Sequence, residues 1–381
     1  MHYLDHAATT PVLPEVRGAM MAVLEEDFGN PSSVHAYGRR AKALVEDARE
    51  KVALAVGAGP SEIVFTSGGT EADNLALKGV MAKLRGNGNH LITTTFEHHA
   101  VLDTADALAR SGADVTKVAV GTDGLVDPDR IAAAVNAGSV LASVMTVNNE
   151  IGTVQDIAAV TEAVKGREPR VLVHTDAVQA LGNVPVDLHG WGVDLAAFAA
   201  HKLGGPKGVG ALFVRSGVPI EAILDGGGQE RGVRSGTLNV PGIVGFGTAA
   251  EIAAKEVHAK HDRVSGLRDA LLDGITSAIP DVVVNGSLDR RAPGNVSVCI
   301  PGADGETLLL LLDGAGIACS SGSACASGAL DPSHVLLAIG VPRKIAKGSL
   351  RFSLGRDSTQ ADVDAVLTAL PEAVRRARKV A

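Results

Sequence analysis

Lys202 stands at the end of the apolar run "LAAFAA", next to His201 and just ahead of the glycine-rich stretch "LGGPKGVG". An amine so placed is partly desolvated, which lowers its pKa and makes the neutral, nucleophilic form accessible, as a Schiff-base lysine requires. Asp176, in "VLVHTDAVQALG", follows a second apolar run, where an uncompensated carboxylate is costly and calls for a cationic partner. "VFTSGGTEADN" passes from a strand-like run through a glycine turn into a helix start, so backbone N–H groups around Gly68, Gly69 and Thr70 can hold a phosphate. Cys325 poses a different chemistry. It lies in "SSGSACASG", small and hydroxylated residues with almost no apolar surface to bury. Packing explains such a cysteine poorly, and the segment reads as a mobile loop carrying a thiol.

Taken singly, each feature has a plainer reading: a lysine that snorkels to the surface, an aspartate that caps the next helix, an ordinary capped turn. The glycine turn matches neither the Walker A pattern nor G-x-G-x-x-G. Two more polar clusters follow strands, however: "FEHHAVLD" with His98 and His99, and "VNNEIGTVQDI" with Asn148, Asn149 and Glu150. Open α/β sheets bind ligands at the carboxyl ends of their strands, and packing needs alone do not bring five such loops to one edge. A Schiff-base lysine beside an aspartate for a protonated pyridine nitrogen is the arrangement that pyridoxal 5'-phosphate requires.

The elements that must position these residues alternate. Strand-like runs "EIVFT", "HLITTT", "SVLASVMTV", "RVLVHT", "LAAFAA" and "GVGALFV" are separated by helical stretches such as "EADNLALKGVMAKL", the pattern of an α/β layer with a mostly parallel sheet. Several runs are apolar without a break, as expected when helices cover both faces. This large cofactor-binding domain is expected over residues 12–250. "AAEIAAKEVHAKHDRVSGLRDALLDGITSAI" reads as a long helix leading out of it, and the order of elements then changes. Residues 1–11 and 251–381 are expected to form a smaller α+β domain, with the cysteine loop near 318–332 and a final helix interrupted or ended near Pro371.

A chain of 381 residues with 46% hydrophobic and 20% charged residues is a compact protein with a sizeable core. Its formal charge of -8 argues against a nucleic-acid or membrane-surface binder. The basic cluster Arg375, Arg376, Arg378 and Lys379 reads as a solvated helix end. "MHYLDHAATTP" lacks the pattern of a secretory signal, so a cytoplasmic location is expected. The longest nearly uncharged run contains Pro241 and several glycines and falls short of a membrane span. Cys299, Cys319 and Cys325 show neither a disulfide framework nor zinc-site spacing, and no metal is expected.

These residues, together with "YLDHAATTP", "GNPSSVHAYGR", "HKLGGPKGVGAL", "GGGQERGVRSGTLNVP", "PSHVL" and "LRFSLGR", give the sequence a resemblance to the cysteine desulfurases. These are fold-type-I, class V aminotransferase-like pyridoxal-phosphate enzymes, and the likeness is greater to the iron–sulfur and nitrogenase-associated group than to the group with a shortened active loop. The resemblance covers nearly the whole chain and implies a mostly parallel seven-stranded sheet with a smaller α+β domain. It implies that Lys202 holds the cofactor, Asp176 pairs with the pyridine nitrogen, and His98 stacks over the ring and serves as acid or base for the substrate thiol. Gln179 and Asn149 would lie near the phenolic oxygen, with Asn149 also near the substrate. Gly69, Thr70 and His201 would hold the phosphate, helped by Thr237 of a partner subunit in a homodimer. Arg351 would clamp the carboxylate of the substrate, L-cysteine. Cys325 would take the sulfur as a persulfide and pass it to an acceptor protein, an iron–sulfur scaffold or a tRNA-thiolation enzyme.

Three departures from the family pattern stand out. Ala199 occupies a place where a hydroxyl phosphate ligand is common, Leu238 replaces a frequent Glu, and the tail that some members use to dock a scaffold looks short. Cys319 reads as a structural thiol rather than a second sulfur relay. A selenocysteine lyase or another class V aminotransferase-like enzyme would need the same Lys202 and Asp176. A partner-binding protein that kept the fold and lost catalysis would have no need of the lysine, aspartate, histidine, arginine and thiol together.

Overall fold

The computed structural model describes residues 1–322 and 332–380, so Cys325 lies outside the described residues. A short first strand, β1 (His2–Tyr3), and the helices Pro14–Glu26 and Ala36–Ala55 precede the main sheet. That sheet comprises β2 (Ile63–Thr66), β3 (His90–Thr94), β4 (Asp114–Val118), β5 (Ser139–Ser143), β6 (Leu172–Asp176), β7 (Leu195–Ala199) and β8 (Gly210–Val214). The spatial order is β2-β8-β7-β6-β5-β3-β4. β8 runs antiparallel to β2 and β7, and the other neighbours are parallel. The fold is α/β, as expected.

The unbroken apolar runs are explained by burial on both faces. Ile63, Phe65, Ala196, Phe198, Ala211 and Phe213 point into one apolar cluster, while Val64, Leu195, Ala197 and Leu212 point into another on the opposite face. β4 is the strand that the sequence pattern missed. It lies at the sheet edge, is half exposed and reads "DVTKV", with a charge at each water-facing position.

The long helix begins at Val240, earlier than its charged stretch suggests, and runs to Ala278. Asn239 caps it by accepting from the Gly242 N–H, and Pro241 in the first turn forfeits no bond. Its first half buries Val240, Ile243 and Phe246 with the main sheet, and its second half buries Val264, Leu271 and Ile275 in a second core. The second core is built on β9 (Val283–Val284), β10 (Asn295–Cys299), β11 (Ile317–Ala318) and β12 (Ser349–Ser353). β12, β10 and β9 form an antiparallel sheet, while β1 pairs in parallel with β11 and brings the N-terminus there. The final helix is not broken at Pro371 but continues from Gln360 to Val380. Val363, Val366 and Leu370 before the proline and Ala373, Val374 and Ala377 after it are all buried in the second core. Burying a Val or Leu side chain contributes ~1.5–3 kcal/mol, so several of them outweigh the ~3 kcal/mol that a proline costs inside a helix.

Candidate active site

β7 ends at Ala199, and one 3₁₀ turn, Ala200–Lys202, aims the lysine back across the sheet edge. Lys202 Nζ donates to the carbonyls of Ala7 at 2.7 Å and Ala8 at 2.9 Å, and Gln179 Nε2 donates to the same Ala7 carbonyl at 2.7 Å. The N-terminal segment "DHAATTP" is therefore a wall of the site.

Asp176 closes β6 and is almost fully buried. Its Oδ1 accepts from the Val178 N–H at 2.9 Å, but a turn rather than a helix follows, so it is no helix cap. Burial pushes its pKa up, and the nearby His98 and Lys202 oppose that shift. His98 is the N-cap of the helix His99–Arg110, with Nδ1 accepting from the Ala100 N–H at 3.1 Å. Burial lowers the His98 pKa, against the pull of Asp176. A neutral ring whose Nδ1 is the acceptor carries its proton on Nε2.

The glycine turn expected to hold the phosphate runs from Thr66 through Gly68 into the helix Gly69–Lys83, whose N-cap residue makes no side-chain cap bond. A Cβ on Gly69 would lie 2.6 Å from Val178 Cγ2, so only glycine lets this turn approach the chain beyond Asp176. Thr70 and His201 flank the opening. His201 Nδ1 lies 3.1 Å from Thr9 Oγ1, and burial followed by the charges of Lys202 and Lys207 brings its pKa down to about 4. Ala199 is buried beside this turn and offers no hydroxyl.

Arg351 reaches the cavity from β12 of the second core and is 2% exposed. Nη2 donates to Asp5 Oδ1 at 2.7 Å, and Nη1 donates to the carbonyls of Asn149 at 2.8 Å and Gly322 at 3.2 Å. Its Nε is sealed from solvent and has no hydrogen-bond partner among the described residues. Next to Asn149, Glu150 accepts from Ser333 Oγ at 2.5 Å, and burial raises its pKa.

The structure brings Lys202, Asp176, His98, Gln179 and Asn149 to the wall of one cavity, with about 290 Å³ of open volume, and Gly69, Thr70, His201 and Arg351 line it too. Thr237 is not among them. It is exposed on a separate hollow beside Leu24, Phe28 and Pro31. Sequence reasoning gave no role to Asp5, which orients Arg351, or to Asp73, whose Oδ1 lies 3.5 Å from His174 Nε2 with both side chains sealed from solvent. Burial, followed by the charges of Asp176 and Glu97, holds the Asp73 carboxyl well above its ordinary pKa, and burial pushes Glu97 up to about 8. For Asp5 the signal was present in "YLDHAATTP", an acid among mostly small and apolar residues, whereas nothing in the polar stretch "TEADN" set Asp73 apart from its neighbours. Cys319 packs against the second core, and its thiol is pushed up to about 12 by burial, which suits a structural role.

The donor set fits pyridoxal phosphate: an amine, a buried carboxylate and an uncapped helix N-terminus open on one cavity. Residues 2–366 match the model of the aminotransferase class-V family, and the chain belongs to that family. Within it, the chain is 47% identical over 380 residues to the cysteine desulfurase IscS of Clostridium botulinum, covering 99% of this chain and 95% of the relative. It is 48% identical over 378 residues to the cysteine desulfurase IscS of Methanosarcina thermophila, covering 99% and 93%. A solved structure described as a NifS-like protein superposes with a TM-score of 0.93 at 41% identity, covering 99% of this chain and all of that one. No described helix is long and apolar enough to cross a membrane.

Proposed function

We infer that this chain is a pyridoxal-phosphate-dependent cysteine desulfurase that converts L-cysteine to L-alanine and retains the sulfur as a persulfide. The observation that carries the reading is the convergence of Lys202, Asp176, His98 and Arg351 on one cavity, in a chain similar over its whole length to cysteine desulfurases. When bound, pyridoxal phosphate supplies an electron sink for negative charge at the substrate Cα. Lys202 would hold the group and move the Cα proton. Asp176, ionised opposite a protonated pyridine nitrogen, would keep that sink strong. Gln179 and Asn149 would contact its phenolic oxygen, and Gly69, Thr70 and His201 its phosphate. Arg351, which lines the cavity, would take the substrate carboxylate, with the guanidinium already oriented by Asp5. His98, with its proton on Nε2, is set as a proton donor beside the ring.

Cys325 closes the reaction. Its thiolate attacks the substrate sulfur, an S–S bond forms, the Cβ–S bond breaks, and the electron pair left on carbon is protonated to give the methyl group of alanine. Cysteine and one thiol become alanine and one persulfide, with no external oxidant or reductant. The small domain of residues 1–11 and 251–381 would bring Arg351 and Cys325 to a cofactor held by residues 12–250. Exposed Phe28 and Leu24 beside Thr237 support a homodimer in which Thr237 serves the partner's phosphate. The acceptor of the sulfur would be a cytoplasmic iron–sulfur scaffold or a tRNA-thiolation enzyme.

The test is to give the purified protein L-cysteine with and without a thiol reductant, and to measure alanine, sulfide and the mass of the Cys325 peptide. Alanine matched by sulfide, with an added sulfur on Cys325 when reductant is withheld, is the expected result. A Cys325→Ser protein that releases alanine from cysteine at the full rate would instead favour a selenocysteine lyase or another enzyme of the family, and would sink the persulfide step.

A further inference from the structure

The segment from Gly226 to Asn239 lies outside the walls of its own chain's cavity, yet it is held more firmly than a surface turn requires. The carboxylate of Glu230, itself buried, is filled from three directions: Arg49 Nη1 and Nη2 each donate at 2.7 Å, and the Phe65 N–H donates at 2.7 Å. Arg49 Nη1 also reaches the Ile63 carbonyl at 2.9 Å, and Arg231 donates to that carbonyl at 2.7 Å. Ile63 and Phe65 belong to β2, the strand that runs into the phosphate turn. On the other side of that turn, Arg234 Nε donates to Glu71 Oε1 at 2.7 Å, and Glu71 Oε2 accepts from the Ser67 N–H at 2.8 Å. The segment is thus clasped to the phosphate turn both before and after Gly68.

The backbone supports the same reading. Glu230 and Arg231 have φ of +46° and +57°, left-handed values that side-chain-bearing residues keep only where surrounding contacts over-determine them. The strain sits in the first clasp, and three residues past Arg234 of the second the chain presents Thr237 to solvent. A knot serving local stability alone gives no reason to end on an exposed threonine.

We propose that this segment ties the two active sites of the dimer together: Glu230 and Glu71 fix the Thr237 that serves the partner's phosphate to the phosphate turn of their own chain. Glu71 and Arg234 are positioning residues for a site in the other subunit. The proposal rests on the dimer reading above. It differs from a purely structural role in one measurable respect, because it places the effect of Glu71 in trans.

The experiment uses mixed dimers of two tagged chains with one Schiff-base site each, one chain wild type and the other carrying Lys202→Ala. Release of cofactor from the wild-type chain is followed by the absorbance of its Schiff base after dilution into a trap for free pyridoxal phosphate, and dimer mass by light scattering. Adding Glu71→Gln to the Lys202→Ala chain alone should speed release from the untouched wild-type site by about five- to tenfold, as a charge-assisted hydrogen bond to phosphate loosens. Arg234→Gln in the same chain should do likewise. Unchanged release in a sample shown to be dimeric overturns the tie and leaves the dimer reading standing. A wild-type chain that runs as a monomer overturns both.

Discussion

Asp176 reaches the cavity from the last residue of β6 and Lys202 from the single turn that follows β7, whereas Arg351 reaches it only because β12 of the second core faces the Asn149 carbonyl of the first. The floor of the site is a property of one sheet: its polar groups leave β6 and β7 at the same edge, and burial raises the Asp176 pKa while lowering that of His98. The side proposed to take the substrate is assembled across the molecule, with Asp5, Asn149, Gly322 and Arg351 drawn from both ends and the middle of the chain. Damage to the floor should therefore abolish chemistry, and damage to the substrate side should weaken binding while leaving the cofactor in place.

The largest effect should come from the floor. Lys202→Ala should lower alanine release on the order of 10³-fold or more and remove the Schiff-base absorbance, which steady-state assays and a spectrum of the loaded protein check together. A variant that keeps its spectrum would place the anchoring amine elsewhere.

Glu97, directly before His98, sharpens the floor's side of the contrast through pH. Its folded pKa of about 8 lies above the ordinary value of 4.5, so the folded state binds more protons between those values. The stability it contributes is fully present below about pH 4.5 and is lost as pH rises through about 8. Glu97→Gln keeps the acceptor for Met145 N–H and Thr94 Oγ1 and removes the titration. It should flatten the loss of unfolding free energy from pH 5 to 9 by on the order of 3 kcal/mol, measured by denaturant titration at each pH. Equal slopes for the two proteins would mean that Glu97 is not sealed as it stands here.

On the substrate side, Arg351→Lys should cost roughly 100-fold in kcat/KM, mainly through KM, because an ammonium cannot replace a planar guanidinium held at both Nη1 and Nη2. Cofactor absorbance should be unchanged. The smallest effect is expected for Asp5→Asn, about fivefold in KM with kcat nearly intact, since the amide keeps an acceptor for Nη2 and loses only the charge. A large fall in kcat for either variant would break the division between floor and substrate side.

The same division separates what was legible in the sequence from what was not. The floor was legible because a polar residue after an unbroken apolar run announces a strand end, and parallel strands put their carboxyl ends at one edge. Cys325 was singled out by composition alone, and it lies outside the described residues. Edge strand β4 and the continuous helix through Pro371 were missed because local preference there is weak or contrary, and burial against neighbours decides.

By itself, the sequence determined the α/β alternation, the strand-end positions of Lys202 and Asp176, and the glycine turn before Thr70, all set by periodicity and backbone sterics within a few residues. Only the tertiary structure decided that Asp5 meets Arg351, that the Ala7 and Ala8 carbonyls receive Lys202, and that Thr237 is exposed away from its own chain's cavity. The reason is physical. Pairings between residues hundreds of positions apart depend on how two packed cores set their elements against one another, and no local pattern in the chain carries that information.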